Sequence, residues 1–323
     1  MTKGWRVETS ETLDEGEVGS VLALVEEASA ADGFTSLNEA ARLHLRHARP
    51  GVLHVLARRV PRVVSGVRLP GQPELGRAGD ETTSHEPHSW PTCGYAQLAP
   101  EGATATGQVV VSPLHRRVGL GSALLDELIE RTAKPLQIWV TGDSPAARAL
   151  AERRSFRRAR ELLIMTRSLS EEIPQPPLLP GVVVRSFVPG ADETPWLALN
   201  ARAFRDHPEQ GQLTRADLGE RMAEAWFDPA GFFVATRGDE MVGFHWTKQH
   251  PDRLGEVYVL GVDPAAGGKG LGRLLLVHGL RYLQQQGNAT VQLYVEGDHD
   301  RAVGLYERYG FTVASRDVMY AQP

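Results

Sequence analysis

The sequence predicts an α/β (α+β) protein built as two tandem copies of one domain, each a mixed central sheet flanked by helices. Three observations lead there. Short apolar runs bounded by turn residues alternate with longer stretches of helical periodicity. The chain repeats itself at long range. Its 323 residues are long for one domain and comfortable for two.

Each copy shows the same order. A strand-like segment and helices come first. Paired strands follow, "GYAQLAP" with "VVV" in the first copy and "GFHWTK" with "EVYVL" in the second. A glycine-rich loop then feeds a helix, and a β-rich run ("LQIWV", "VQLYV") precedes a last helix. In the repeat itself, "VVVSPLHRRVGLGSALLDEL" (109–128) lies over "LGVDPAAGGKGLGRLLLVHG" (260–279), matching Pro113 with Pro264, Gly119 with Gly270 and Gly121 with Gly272 at an offset of 151. Further on the offset is 155, pairing Gln137 with Gln292, Gly142 with Gly297, Asp143 with Asp298 and Phe156 with Phe311. The four-residue length change falls where a helix end and loop are expected. A period this long excludes a solenoid. The domains are therefore expected at 1–167 and 181–323, joined by a proline-rich linker at 168–180, with a polar Pro/Gly-rich surface insertion near 61–91 in the first copy.

The formal net charge of −5 and pI near 6.1 imply no basic face for nucleic acid or anionic lipid. One cysteine, Cys93, forbids an intrachain disulfide and fits a reducing compartment. No apolar signal core or 18-residue apolar run is present, so a cytoplasmic protein that does not enter a membrane is expected, and a monomer. The histidines show no H-E-x-x-H or Cys/His spacing, so no metal site is expected. No G-x-S-x-G element points to a nucleophilic serine.

"GVDPAAGGKGLGRLLL" (261–276) is the chemically informative stretch. A strand, a glycine loop and a helix N-terminus together offer N–H groups and the positive end of a dipole to a phosphate. It is no Walker A loop, since Lys269 precedes Gly270 and no Ser or Thr follows. It is no dinucleotide fingerprint, since Leu275 stands at the third glycine position.

The loop follows [Q/R]-x-x-G-x-[G/A], in full as Arg116 to Gly121 and in all but its first position as Gly267 to Gly272. Downstream, His299-x-x-Ala302-x-x-x-Tyr306-x-x-x-Gly310-Phe311 resembles the N-x-x-A-x-x-x-Y-x-x-x-G-F run of the GCN5-related N-acetyltransferases (GNAT). A narrower resemblance, carried by "HPEQG" (207–211), "EAWFDP" (224–229), "GFHWTK" (243–248), "LGEVYVLGVDPAA" (254–266) and "LYVEGD" (293–298), is to the mycothiol synthase family of tandem acetyltransferases.

The resemblance implies acetyl-CoA as donor and a small pseudodisaccharide amine, desacetylmycothiol, as acceptor. It places the donor's pyrophosphate on Gly267, Gly268, Lys269, Gly270, Leu271, Gly272 and Arg273, and its pantetheine along Leu260, Gly261 and Val262. The start of the last helix, His299, Asp300, Arg301, Ala302, Val303 and Gly304, completes that site. In the first copy the same positions are Val109, Val110, Val111, Arg117, Val118, Gly119, Leu120, Gly121 and Ser122. Two departures stand out: Gly267 replaces the usual Gln or Arg, and His299 the usual Asn. Glu256 is implied as the base that deprotonates the acceptor, Tyr306 as the acid that protonates the departing thiolate, and Glu39, Glu209, Lys248, Glu256 and Tyr294 as acceptor contacts. At the repeat offsets Glu256 falls on Ala105 and Tyr306 on Ala151, so the first copy is expected to be non-catalytic. Two other readings stay open: a tandem acetyltransferase for another amine, and a coenzyme-binding sensor without catalysis.

Overall fold

The computed structural model describes residues 4–60, 90–205, 207 and 210–323. Most of the expected insertion at 61–91, and the candidate Glu209, lie outside the described residues. The chain divides into two units, Met1–Glu161 with Asp317–Pro323, and Leu162–Arg316.

The first copy runs β1 (Trp5–Ser10), α1 (Glu15–Asp32), α2 (Glu39–Arg46), β2 (Leu53–Arg59), β3 (Thr92–Glu101), β4 (Thr104–Val111), α3 (Leu120–Arg131), β5 (Leu136–Val140), α4 (Pro145–Arg153) and β6 (Arg157–Ser168). The second runs β7 (Val183–Ser186), α5 (Glu193–Ala203), α6 (Arg215–Ala223), β8 (Phe232–Arg237), β9 (Glu240–His250), β10 (Leu254–Val262), α7 (Leu271–Gln285), β11 (Thr290–Glu296), α8 (Asp300–Arg308) and β12 (Thr312–Ala321). The repeat read from the sequence is thus a repeat of ten elements. The length change sits where α7, at 15 residues, outlasts α3, at 12.

Local chemistry explains the boundaries. Asp14 and Glu17 form a capping box at the start of α1, and Gly33 in the left-handed region ends it. Thr214 and Asp217 do the same for α6. In α4 and α8 the cap is kept with different residues: Ser144 Oγ accepts the Ala147 N–H at 3.2 Å, and His299 Nδ1 accepts the Ala302 N–H at 3.3 Å.

In the first unit β1, β2, β3 and β4 pair antiparallel, and β4 pairs parallel with β5. The outer neighbour of β5 is the end of β12, with Val318 opposite Val140 and Ala321 opposite Gln137. Val318 and Tyr320 are buried in the same core as Leu124, Leu128 and Phe156. In the second unit β7 to β10 pair antiparallel and β10 pairs parallel with β11. The outer neighbour of β11 is β6, from Leu162 opposite Glu296 to Ser168 opposite Thr290. Each unit therefore takes its last strand from the other copy's sequence, which the boundary expected at 167/181 does not describe. The proline-rich segment expected as a linker packs on the second unit: Leu169 and Ile173 are in its core, and Gln284 donates to the Leu169 carbonyl at 2.6 Å.

Candidate active site

The site begins where β10 and β11 part. Their pairing runs from Leu254/Thr290 to Val257/Leu293 and stops, although β10 continues to Val262. A bulge at Tyr258 breaks the register with β9 at the same point, between Val257 and Val259. The strands open into a wedge whose floor is Glu256, Val257, Gln292 and Leu293.

Alternation along the strands sorts these residues by face. Val257 and Leu293 turn inward to a core that holds Leu276, Leu280 and Tyr306. Glu256 turns the other way. Lys248 on β9 and Gln292 on β11 are its direct neighbours in register, and His250 is its diagonal one. Gln292 Nε2 donates to Glu256 Oε2 at 3.0 Å, and His250 Nε2 lies 2.6 Å from the same oxygen. Burial pushes the Glu256 pKa up, but the His250 bond and charge, the Lys248 ammonium and the Gln292 amide together outweigh it and hold the group below its ordinary value. The carboxylate is buried and ionised, the state a general base requires.

The Lys248 ammonium lies 4.3 Å from the Trp226 ring centre and 5.1 Å from that of Tyr258, a cation–π contact with two adjoining rings. Arg221 Nε donates to the Tyr258 hydroxyl at 3.0 Å. Behind these rings, Trp196, Phe232, Phe244 and Trp246 form the aromatic core. Tyr294 stands two residues past Gln292 on the same face and is exposed.

Tyr306, on α8, is buried edge-on to Phe311, and burial raises its pKa to about 12. It stays a neutral hydroxyl across the working pH range. Glu256 and Tyr306 thus lie on opposite faces of the sheet.

At the mouth of the wedge are Leu260, Gly261 and Val262. Gly261 is buried, and a Cβ there would meet the Phe244 ring at 2.6 Å. After a tight turn at Pro264–Ala266 the loop passes Gly267, Gly268 and Lys269 to Gly270, the N-cap of α7, whose φ of 89° is left-handed. No side chain caps this helix, so Leu271, Gly272 and Arg273 present first-turn N–H groups. That is an anion cradle by geometry. Cations surround it: Lys269 and Arg273 are exposed, the Arg273 guanidinium folds back over Gly270, and that of Arg301 lies beside Gly267. Arg301 brings a guanidinium to the position whose own side chain is missing. Asp300, Ala302, Val303 and Gly304 continue the first turns of α8.

The first unit repeats this frame. The pairing of β4 with β5 ends at Gly107/Ile138, leaving Val109, Val110 and Val111 on the diverging stretch. Arg117 stands at φ 64°, Val118 is exposed, and Gly119, at φ 89°, caps α3, which opens with Leu120, Gly121 and Ser122. Arg116 is held by Asp32 through two bonds of 2.6 and 2.9 Å.

One correspondence needs correction. Because β10 carries a bulge that β4 lacks, the offset is 151 after it and 150 before it. By strand pairing the counterpart of Glu256, opposite Gln292, is Thr106, opposite Gln137, and not Ala105. The Thr106 hydroxyl donates to Glu101. Tyr306 still corresponds to Ala151, which is buried.

The structure brings Glu256, Lys248 and Tyr294 onto one face of the second unit. Glu39 belongs to the first unit, in the opening turn of α2. Sequence reading missed His250, Gln292, Trp226 and Tyr258. His250 could have been found from the hairpin: a reversal at Pro251–Arg253, with left-handed Asp252 and Arg253, returns the chain beside it. Among the described residues no cluster of three His, Cys, Asp or Glu could hold a metal ion, and no helix is long and apolar enough to cross a membrane.

Residues 83–156 and 196–311 match the acetyltransferase (GNAT) family. The fold and the site define an N-acetyltransferase of this class, whose members use acetyl-CoA as donor. The chain is 45% identical over 317 residues to the mycothiol acetyltransferase of Thermomonospora curvata, covering 97% of this chain and 96% of that one. It is likewise 45% identical to that of Streptomyces scabiei, covering 98% and 94%. The chain belongs to the mycothiol acetyltransferase family. Among solved structures it is similar to a GCN5-related N-acetyltransferase from Sphaerobacter thermophilus (TM-score 0.68, 20% identity, covering 100% and 96%). It is also similar to a tandem GNAT protein of the clavulanic acid biosynthesis pathway (TM-score 0.67, 20% identity, covering 98% of each chain). Both likenesses concern the fold.

Proposed function

We propose that the chain moves the acetyl group of acetyl-CoA onto the cysteinyl amine of desacetylmycothiol, and that the second unit alone carries the chemistry. The observation that carries this reading is a buried carboxylate held ionised at the base of an open strand pair, in the same unit as an uncapped, glycine-led helix start.

Acetyl-CoA supplies the activated acetyl group as a thioester. The α7 N-terminus holds its pyrophosphate, with Lys269, Arg273 and Arg301 adding positive charge. Both hydrogen bonds to the Glu256 carboxylate fall on Oε2, which leaves Oε1 to take a proton from the acceptor ammonium, directly or through one water. The freed amine attacks the thioester carbon, and the C–S bond breaks as the C–N bond forms. Tyr306 gives its hydroxyl proton to the departing sulfur and recovers one from the new amide nitrogen, so the second amine proton ends on the thiol. Backbone N–H groups on the diverging stretch of β10 stabilise the carbonyl oxygen. In the first unit, Thr106 and Ala151 offer neither group, so that copy is non-catalytic.

The test is mass-spectrometric turnover of acetyl-CoA with desacetylmycothiol and with a simpler cysteinyl amine, in the wild type, Glu256→Gln and Gly270→Val. Turnover favouring desacetylmycothiol, lost in Glu256→Gln, with acetyl-CoA affinity lost in Gly270→Val, supports the reading. Preference for the simpler amine overturns the acceptor. Unchanged calorimetric affinity in Gly270→Val overturns the placement of the pyrophosphate.

A further inference from the structure

We propose that His250 is the positioning residue of this site, fixing which oxygen of Glu256 meets the acceptor and keeping that carboxylate charged inside the protein. The inference rests on the reading of Glu256 as base.

Glu256 is only 5% exposed. A carboxylate so deprived of water reverts to the neutral acid unless donors and positive charge replace the lost hydration. Among the described residues, three side chains face it in register or diagonally. From β9 come Lys248, directly across, and His250, diagonally across; from β11 comes Gln292. Lys248 acts on Glu256 through its charge, and its ammonium also lies over the Trp226 and Tyr258 rings. Gln292 is a neutral donor at 3.0 Å. His250 makes the shortest contact, 2.6 Å, and its side chain is 27% exposed, so it couples the buried carboxylate to solvent. Tyr258, Tyr294 and, further along β11, Glu296 are other titratable groups on this face, with Arg221 of α6 at the Tyr258 hydroxyl and His207 opposite Glu296. Both donors meet Oε2, and two donors on one oxygen define the plane and rotation of the carboxylate. An oxygen displaced by about 1 Å at such a site can lower the rate on the order of 100-fold.

The experiment compares kcat/KM against pH for the wild type, His250→Ala, His250→Gln and Glu256→Gln, with circular dichroism to verify folding. His250→Ala is expected to lose on the order of 10- to 100-fold at pH 6, and less at pH 9, because the acid limb moves up when Glu256 loses its main support. His250→Gln, which still donates to Oε2, recovers most of the rate at alkaline pH. KM for acetyl-CoA stays unchanged in both. A His250→Ala deficit equal at every pH, or no deficit, overturns the proposal while leaving Glu256 as base if Glu256→Gln is inactive. A fully active Glu256→Gln overturns the underlying reading instead.

Discussion

The two units fold the same ten elements into the same paired strands, loop and helices, and differ at the few positions that the proposed mechanism uses to move protons. At the foot of the wedge the second unit has a glutamate supported by His250, and the first has Thr106 supported by Glu101. These pairs are equivalent by strand register, so donor and acceptor have changed places across the same hairpin. On the last helix Tyr306 is matched by Ala151. The left-handed glycine at the helix start is identical in both, with φ of 89°. Scaffold and glycine-led helix start are thus shared where Glu256 and Tyr306 are not.

The cores differ in a compensating way. His245 and Gly279 in the second unit correspond, by strand and helix register, to Ala96 and Leu128 in the first. His245 is fully buried, its Nδ1 lies 2.8 Å from the Leu275 carbonyl, and a Cβ on Gly279 would come within 2.0 Å of its ring. Large against small has been exchanged for small against large, which keeps the packing density the interior requires.

The largest expected effect comes from exchanging proton-transfer residues. Glu256→Thr, importing the first unit's residue, should lower kcat on the order of 100- to 10,000-fold, and so should Tyr306→Phe. Rapid-quench kinetics under chemistry-limited conditions, with acetyl-CoA affinity unchanged, checks both; near-parental rates would erase the distinction between the units.

Next in size is an acid sensitivity. Burial lowers the His245 pKa to about 4, against a partly compensating bond to the Leu275 carbonyl. Above its ordinary value, near 6.5, the group is neutral in both folded and unfolded chains. As pH falls from about 6.5 to about 4, the unfolded chain gains a proton that the folded chain refuses. Stability should therefore drop through that window by about 3 kcal/mol. Urea unfolding across the window reads it, and His245→Ala, copying Ala96, should flatten the dependence.

Gly279→Ala should destabilise by about 1–3 kcal/mol through overpacking. Combining it with His245→Ala should recover much of the loss, and additive losses would refute the exchange of volumes. The smallest effect is expected from Thr106→Glu, which gives the first unit a carboxylate but no Tyr306 counterpart. Turnover of a Glu256→Gln, Thr106→Glu double variant should stay at the Glu256→Gln level, and any restored rate would show that the first copy needs only a base.

Much of this was readable in the chain. Glycines at Gly119/Gly121 and Gly270/Gly272 are local requirements of a loop, so they leave a spaced mark in sequence. Glu256 and Tyr306 stand inside motifs of fixed order. The bulge at Tyr258 left no such mark, because one extra residue in a strand changes register without changing composition, and it shifted Thr106 into the place assigned to Ala105. His250 escaped because its role comes from a diagonal contact across a hairpin. The strand exchange escaped because "LLIMTRS" and "VMYA" are equally good strands beside either neighbour, and only tertiary packing chooses.

That exchange has a consequence for how the protein comes into being. A ribosome delivers the chain in order, and leading domains commonly fold while the rest is still being made. The first unit cannot do so completely. The strand that covers β5, with Val318 and Tyr320 in the core, is not synthesised until the entire second copy has been. Until then an apolar, unpaired strand edge stays open on the nascent chain, a surface prone to wrong pairing. The first half of the protein is made first and finished last.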